Sequence, residues 1–291
     1  MRAVEPELQR NWGGQAAANF IGGGAGAGLL LFTALAAYQN SLWLYRTGLP
    51  ALALIGTGLT CVWLEIGRPW RFLNVLRHGG SSWMSREALA ASALFPVALV
   101  AIALHLRGLA LIAALIGLAF IYCQARMLKA ATGIPVWREP AIVPLILSTG
   151  LTEGAALFII VAAAFPARPR WMLPVLIVAL VGRLVAWQTY RAHLRVPGAA
   201  PRRSVEVLNQ IHEPVRIAGH LLPLGLLMIA LAVPPGARLL AAVAAGLSLA
   251  AGWYLKYSLV CRASYNQGFA IVHAPARSPG YGHAGAKPGW T

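Results

Sequence analysis

Residues 49–72 read LPALALIGTGLTCVWLEIGRPWRF, a long apolar segment followed by a charged loop. Its first part, Leu49–Leu64, is almost entirely apolar and is long enough to form most of a membrane helix, which needs about 20 such residues. The segment ends in Glu65, and the loop that follows contains Arg68 and Arg71. A carboxylate at the end of a membrane span, beside two arginines, is a candidate for chemistry at the membrane boundary.

The composition agrees with a membrane protein. The chain has 291 residues, of which 58% are hydrophobic and 11% are charged, whereas a soluble domain has about 25% charged residues. Aspartate is absent, so all eight acidic residues are glutamates. The net charge of +16 comes from arginines and lysines between apolar segments. This arrangement indicates basic loops at a membrane surface and argues against nucleic acid as a partner.

The apolar pattern recurs along the chain and predicts an all-α integral membrane protein with eight transmembrane helices in two four-helix bundles. Each span should be helical, because backbone polar groups cannot remain unpaired in lipid. The expected spans are Gln15–Tyr38, Leu49–Ile66, Ser85–Leu106, Leu109–Met127, Ala141–Phe165, Trp171–Ala192, Pro214–Val233 and Ala237–Cys261. We expect residues 1–261 to form this membrane domain and residues 262–291, rich in glycine and proline, to form an extended tail.

An even number of spans places both termini on one side of the membrane. That side carries 18 of the 24 lysines and arginines, against five on the other side. The positive-inside rule therefore predicts cytoplasmic termini. The longer loops Gly67–Met84, Leu128–Pro140 and His193–Glu213 lie on the same side. We expect this face to bind a partner protein; the alternative is a basic surface near anionic lipid.

The cysteines and histidines give no pattern typical of a metal or heme site. Cys61, Cys123 and Cys261 lie in or at the ends of spans, without CxxC spacing. His220 is the histidine placed well inside a span, and His105 lies at the opposite end of the bilayer, so the two should not form a heme-binding pair. We therefore predict no heme and no protein-bound metal in this chain.

The glycines of the first span have a different use. Gly22/Gly26 and Gly24/Gly28 form small-xxx-small pairs, which allow two helices to approach closely. The match to a dinucleotide fingerprint is weak, because no strand precedes it. We therefore expect these glycines to allow close helix packing and not to bind a dinucleotide.

Several ionisable residues lie in or near the spans, where a charge costs about 2.5–3.5 kcal/mol on insertion scales. Glu65, Glu87, Arg126, Arg216 and Lys256 are expected at the boundary on the side of the termini. Glu153 and Arg183 are expected nearer the middle, either as an ion pair with each other or as part of a proton path. Structural alternatives also stand for the boundary residues. Glu87 would stabilise the first turn of a helix capped by Ser85, Trp83 would belong to an aromatic belt, and Glu65 would pair with Arg68.

Three segments carry a resemblance to a known family. Trp63–Asn74 (WLEIGRPWRFLN), followed by Ser81–Glu87 (SSWMSRE), resembles the DmsC-like anchor subunits of dimethyl-sulfoxide reductases, within the wider NrfD/polysulfide-reductase membrane group. Tyr122–Arg126 with Gly133–Trp137 is similar to the end of helix four and its following loop, and Lys256–Phe269 is similar to the closing segment. The resemblance covers nearly the whole chain.

The resemblance implies a heme-free, eight-helix anchor in the bacterial inner (cytoplasmic) membrane, with its partner face expected to be cytoplasmic. Such an anchor binds a four-cluster iron–sulfur subunit and, through it, a molybdopterin catalytic subunit, and it exchanges electrons with menaquinone or ubiquinone. The complex would be of the DMSO reductase, sulfite dehydrogenase or phenylacetyl-CoA oxidoreductase type. The implied sites are Glu65 and Glu87 for proton handling; Asn19, Glu65, Arg68, His78, Trp83, Tyr122 and Arg126 for quinone; and Arg71, Arg77, Trp137, Arg202, Arg203 and Arg262 for partner docking.

Glu65 occupies a position that is often histidine in this group, whereas Glu87 matches a family glutamate. Quinol oxidation releases two protons, and we expect Glu65 to accept one of them. Two other functions remain open. A secondary transporter could be built from two repeats of four helices. The similar sequences of Leu73–His78 and Leu208–Glu213, at equivalent loops of the two halves, support this possibility. A purely structural anchor is the third possibility. The expected gathering of polar residues at one face favours the quinone-linked anchor.

Overall fold

A computed structural model describes residues 2–65, 73–76, 79–166, 168–233 and 236–271 of the chain. Helices account for nearly all of the regular structure in these residues. They are α1 (Gly14–Ala37), α2 (Leu49–Glu65), α3 (Trp83–Ala103), α4 (Arg107–Ala130), α5 (Pro135–Arg138), α6 (Ile142–Ala162), α7 (Met172–Leu194), α8 (Arg202–Arg216), α9 (Leu222–Ala232) and α10 (Ala237–Tyr257).

Three of these helices are continued by π-helical turns. Leu44–Gly48 leads into α2, Ile217–Leu221 joins α8 to α9, and Ser258–Arg262 extends α10. With these turns included, the described residues contain eight helices long and apolar enough to cross a membrane. The prediction of an all-α protein with eight spans is confirmed.

The expected loop His193–Glu213 is where the structure differs most from the prediction. It contains most of α8, which runs without a break through the π-turn into α9. Ser204, Leu208, Ile211 and Val215 form the buried face of α8, at the spacing of an amphipathic helix. The charged residues of the opposite face gave this segment the composition of a loop. The short helix α5 likewise lies within the expected loop Leu128–Pro140.

In the first half of the chain, α1 packs against α2 and α4, and α3 packs against α4; in the second half, α10 packs against α6 and α9, and α6 packs against α7. The two halves meet where α1 packs against α6, a contact as extensive as those within each half. Gly24 and Gly28 of α1 face Gly150 and Gly154 of α6 so closely that a Cβ atom on Gly154 would overlap the backbone of Gly28. On another side of α1, a Cβ on Gly22 would lie 2.6 Å from the carbonyl oxygen of Leu54 in α2. The packing function predicted for these glycines is confirmed.

The first and last described segments of the chain lie together. Strand β1 (Arg2–Val4) pairs antiparallel with strand β2 (Phe269–Ile271), with Arg2 opposite Ile271. The ladder continues through Gln9, whose backbone N–H donates to the carbonyl oxygen of Ser264 at 3.1 Å. Both ends of the membrane domain are therefore on one face, as an even number of spans requires. Residues 272–291 of the expected tail lie outside the described residues.

Candidate functional site

A cavity of about 370 Å³ lies between α1, α2 and α3, near the face that carries the termini. Its polar lining comes from side chains on all three helices, which are Asn19, Thr60, Glu87 and Ser92. The rest of the wall is apolar and consists of Leu59, Val62, Trp63, Leu73, Val75, Leu76, Met84, Ala88 and Ala91. An apolar pocket of this size with a few polar groups is typical of a site for a small organic ligand.

Glu87 is the acidic group of this cavity. Its side chain is buried, and its Oε1 atom accepts hydrogen bonds from Asn19 Nδ2 and Gln124 Nε2, both at 3.0 Å. Gln124 Nε2 also donates to the backbone carbonyl of Asn19 at 3.1 Å. These bonds join α1, α3 and α4, and they offset part of the cost of removing a carboxyl group from water.

Two acceptor atoms of this cluster have no partner. Asn19 Oδ1 and Gln124 Oε1 are buried and make no hydrogen bond to any described residue. A buried acceptor without a donor is unfavourable, and native proteins contain few of them. A ligand that brings a hydroxyl group into the cavity would supply the missing donor.

The start of α3 places Glu87 in the cavity. The N-cap is Ser82, whose side chain accepts a hydrogen bond from the backbone N–H of Ser85 at 3.4 Å, and not Ser85 as predicted. Because α3 therefore begins at Trp83, Glu87 lies beyond its first turn. The alternative function of Glu87, as a charge that stabilises the helix start, is not supported.

Glu65 lies next to this cluster. It is the last residue of α2 and is partly buried, and its Oε1 accepts a hydrogen bond from the backbone N–H of Gly13 at 3.3 Å. Glu65, Glu87 and Asn19 together line a second, smaller cavity of about 50 Å³. The structure thus brings together three of the predicted site residues. Arg68, Arg71, Arg77 and His78 lie outside the described residues, as does the predicted Glu65–Arg68 ion pair.

Trp83, Tyr122 and Arg126 form a cluster of their own. The guanidinium of Arg126 lies 4.4 Å from the centre of the Trp83 ring, and its Nη1 donates to the Tyr122 hydroxyl at 2.6 Å. Trp83 and Tyr122 contact each other edge to face. Among the residues lining the two described cavities, none belongs to this cluster. The structure therefore separates these three predicted quinone contacts from Asn19, Glu65 and Glu87.

A second buried polar group lies in the other half of the protein. Lys256 Nζ donates to Glu153 Oε2 at 2.6 Å and to the backbone carbonyl of Phe20 at 2.8 Å. Both side chains of this ion pair are fully buried. Lys256 lies in the last turn of α10, and its long side chain reaches inward to this carboxylate.

Arg183 does not form the predicted ion pair with Glu153. Its guanidinium donates to the backbone carbonyls of Ser248 and Gly219 at 2.9 and 2.7 Å, and to His220 Nε2 at 3.0 Å. The second nitrogen of His220 contacts the backbone carbonyl of Val215 at 2.8 Å. Both ring nitrogens of His220 are therefore hydrogen-bonded, and the bond from Arg183 joins the π-turn Ile217–Leu221 to α7. The absence of heme stays a prediction.

The predicted docking residues fall into two classes. Trp137 is 2% exposed, stacks on Trp12, and donates from Nε1 to the carbonyl of Leu259 at 2.8 Å. Its assignment to partner docking was wrong, because the ring fills the core. Arg202 and Arg203 have exposed side chains at the start of α8. Arg262 lies on the face that carries the termini and donates to the Tyr254 hydroxyl at 2.8 Å.

Sequence analysis missed two residues of these networks. Gln124 was not considered as a site residue, and Lys256 was not considered as a partner of Glu153. Each is a polar residue within an otherwise apolar span, which is the signal that would have selected both.

The chain was compared with known proteins. A family described as DMSO reductase anchor subunit (DmsC) matches residues 17–223, which is most of the chain. The matched range contains Asn19, Glu65, Glu87 and Gln124. The comparison with curated proteins gave no match.

Proposed function

The chain belongs to the DmsC family of DMSO reductase anchor subunits, and we propose that it is the heme-free, quinol-oxidising subunit of a three-subunit molybdopterin oxidoreductase. As a family member with eight spanning helices, it is a multi-pass membrane anchor of a DMSO reductase-type complex. The observation that carries the quinol proposal is the Glu87–Asn19–Gln124 cluster at the wall of an apolar cavity.

The cavity suits a quinol in both shape and chemistry. Its apolar wall would contact the ring and the first part of the isoprenoid tail. Asn19 Oδ1, which lacks a donor, would accept a hydrogen bond from one quinol hydroxyl. Glu87 lies on the same wall and is held in place by amides on α1 and α4. This geometry would orient a hydroxyl group toward a carboxyl group that can accept its proton.

Oxidation of one quinol to quinone releases two protons and two electrons. Glu87 would accept the two protons one after the other in the cavity, and each would pass to Glu65, on the wall of the adjoining smaller cavity, before the next is taken up. Glu65 is partly exposed at the end of α2, so a proton held there can reach water. Both electrons would leave to the four-cluster iron–sulfur subunit and then to the molybdopterin subunit, which would supply the redox centres.

The face with the termini would hold those partners. Arg202 and Arg203 are exposed there, and their charge favours an acidic surface on the iron–sulfur subunit. The bias of basic residues toward this face supports cytoplasmic termini in a bacterial inner membrane. The terminal substrate would contact the catalytic partner alone. A sulfoxide would accept the two electrons from quinol, whereas a complex that oxidises sulfite or an acyl-CoA would run the same transfer in reverse, with quinone as the electron acceptor.

The position of the polar residues discriminates between the anchor and the transporter, because transporters usually carry polar residues near the middle of the membrane. The expectation that they gather at one face holds for the first four helices, whereas Glu153, Lys256 and Arg183 are buried within the second four. Their hydrogen bonds run mainly to one another and to the backbone, as in a structural network. Together with the family match, this favours the anchor over the transporter.

The proposal is tested by Glu87→Gln in membranes that contain the assembled complex. Quinol-driven reduction of the complex's substrate should fall at least about 100-fold, because general acid–base groups contribute about 10²–10⁴. Reduction driven by a viologen dye, which donates directly to the soluble partners, should be unchanged. Glu65→Gln should lower the quinol-driven rate in the same selective manner.

Glu213→Gln is the matched control, since Glu213 is an exposed carboxylate on α8, paired with Arg216. Its quinol-driven rate should equal that of the wild type. An unchanged quinol-driven rate in Glu87→Gln would refute the assignment of this cavity. Equal losses of both rates would instead indicate failed assembly. The quinol-driven and viologen-driven rates of Gln124→Glu, which changes the same cluster at its α4 residue, would then be compared.

A further inference from the structure

A cavity with an unbalanced positive charge lies on the face opposite the termini. It has a volume of about 300 Å³ and lies between the loop that precedes α7 and the start of α10. The lining residues are Pro166, Arg168, Pro169, Arg170, Met172, Leu173, Ala237 and Ala241. This cavity is separate from the quinol cavity, with which it shares no lining residue.

Arg168 and Arg170 line the cavity, and Arg238 lies close to Arg168. Within the described residues, none of the three takes part in a salt bridge or a side-chain hydrogen bond. The two other arginines of this face have partners within the protein. Arg46 stacks on the Phe165 ring at 3.9 Å, and Arg107 donates to the carbonyl of Tyr38 at 3.4 Å.

The backbone adds further positive potential. Both α7 and α10 begin at this cavity, and neither has a side chain that caps its first N–H groups or an acidic residue in its first turn. The positive ends of two helices therefore point to the same place as the arginines. Glu153, the acidic residue nearest in sequence, lies in the middle of α6.

The charge on Arg168 is poorly compensated. Partial burial, and then the neighbouring Arg238, lower the pKa of the Arg168 guanidinium from its ordinary value. Arginine stays charged in proteins, so this direction reflects an unfavourable environment that an anion would relieve.

We propose that this cavity binds the phosphate group of an anionic membrane lipid. Guanidinium groups and helix N-termini are the groups that recognise phosphate. The remaining lining is apolar, and Met172 and Ala237 mark the starts of membrane spans, so the cavity lies at the depth of lipid headgroups. An acyl chain attached to the phosphate would continue along the apolar surface of α7. A free phosphate ion would gain nothing from that surface.

The test is native mass spectrometry of the full chain, released from micelles that contain phosphatidylglycerol or, separately, phosphatidylcholine. The wild type should retain phosphatidylglycerol in preference to phosphatidylcholine. Arg168→Gln/Arg170→Gln should bind phosphatidylglycerol about thirtyfold more weakly, because each basic group near anionic lipid contributes roughly fivefold. Arg168→Lys/Arg170→Lys, which keeps both charges, should retain most of the binding.

The matched control is Arg107→Gln/Arg195→Gln, which removes the same number of charges away from the cavity and should bind like the wild type. Equal retention of phosphatidylglycerol by the cavity variant and the control would overturn the proposal. So would equal binding of the two lipids by the wild type. Inorganic phosphate at millimolar concentration should not displace the lipid; full displacement would assign the site to the free ion.

Discussion

The ion pair between Lys256 and Glu153 gives the sharpest prediction about stability. Lys256→Met removes the ammonium group and keeps an unbranched side chain of similar length. It deletes both hydrogen bonds of Nζ, to Glu153 Oε2 at 2.6 Å and to the Phe20 carbonyl at 2.8 Å. Glu153 Oε1 already lacks a partner, so the variant leaves the whole carboxylate unpaired in a fully buried position.

Removing one partner of a buried pair costs about 3–5 kcal/mol, because the other charge stays buried without compensation. We therefore expect Lys256→Met to lower the free energy of unfolding by about that amount. Lys256→Met/Glu153→Gln removes the stranded charge and leaves a neutral amide, whose burial costs about 1–3 kcal/mol. The double variant should consequently be more stable than Lys256→Met.

The assay is reversible unfolding of the full chain in mixed micelles, with rising dodecyl sulfate content, followed by far-ultraviolet circular dichroism. Arg202→Met is the control, because the Arg202–Glu206 pair is exposed and such pairs contribute little. If Lys256→Met lost no more stability than Arg202→Met, the pair would have no structural function. A double variant less stable than Lys256→Met would contradict the stranded-charge explanation.

Two further predictions concern packing and topology. Gly154→Ala should disrupt the contact of α6 with α1, because its Cβ would overlap the Gly28 backbone, and should lower the yield of folded protein in size-exclusion chromatography. Gly246→Ala is the control, because nothing lies within 4 Å of its Cβ, and its yield should not fall. Equal yields of the two variants would contradict the close approach of α6 to α1. Single cysteines at Gly133 and Gly108 are compared in a background with Cys61, Cys123 and Cys261 replaced by alanine; both positions are exposed, have open space for a side chain, and lie on opposite faces in the proposed topology. An impermeant maleimide added to intact cells should label residue 108 only, and labelling of residue 133 instead would reverse the proposed orientation.

Part of the candidate site could be predicted from residue type and depth. Glu65 and Glu87 were selected because ionisable side chains are rare in spans, and Asn19 because its position resembles a quinone contact of a known family; the structure brings all three to adjoining cavities. Trp83, Tyr122 and Arg126 were selected on the same grounds but lie in a different cluster. The sequence places these three residues near the ends of spans, but it does not specify the face of the helix on which each one lies.

The sequence by itself determined the number of spans, their approximate ends and the common side of the termini. These properties depend on hydropathy and on segment length, which are local and additive along the chain. The tertiary structure decided which polar side chains meet. Glu153 pairs with Lys256 and not with Arg183, and Glu87 binds Gln124 as well as Asn19. Such partners lie on different helices. Which of them meet depends on the rotation of each helix about its axis and on which helices the glycines of α1 allow to approach. No local sequence pattern specifies the rotation or the neighbours.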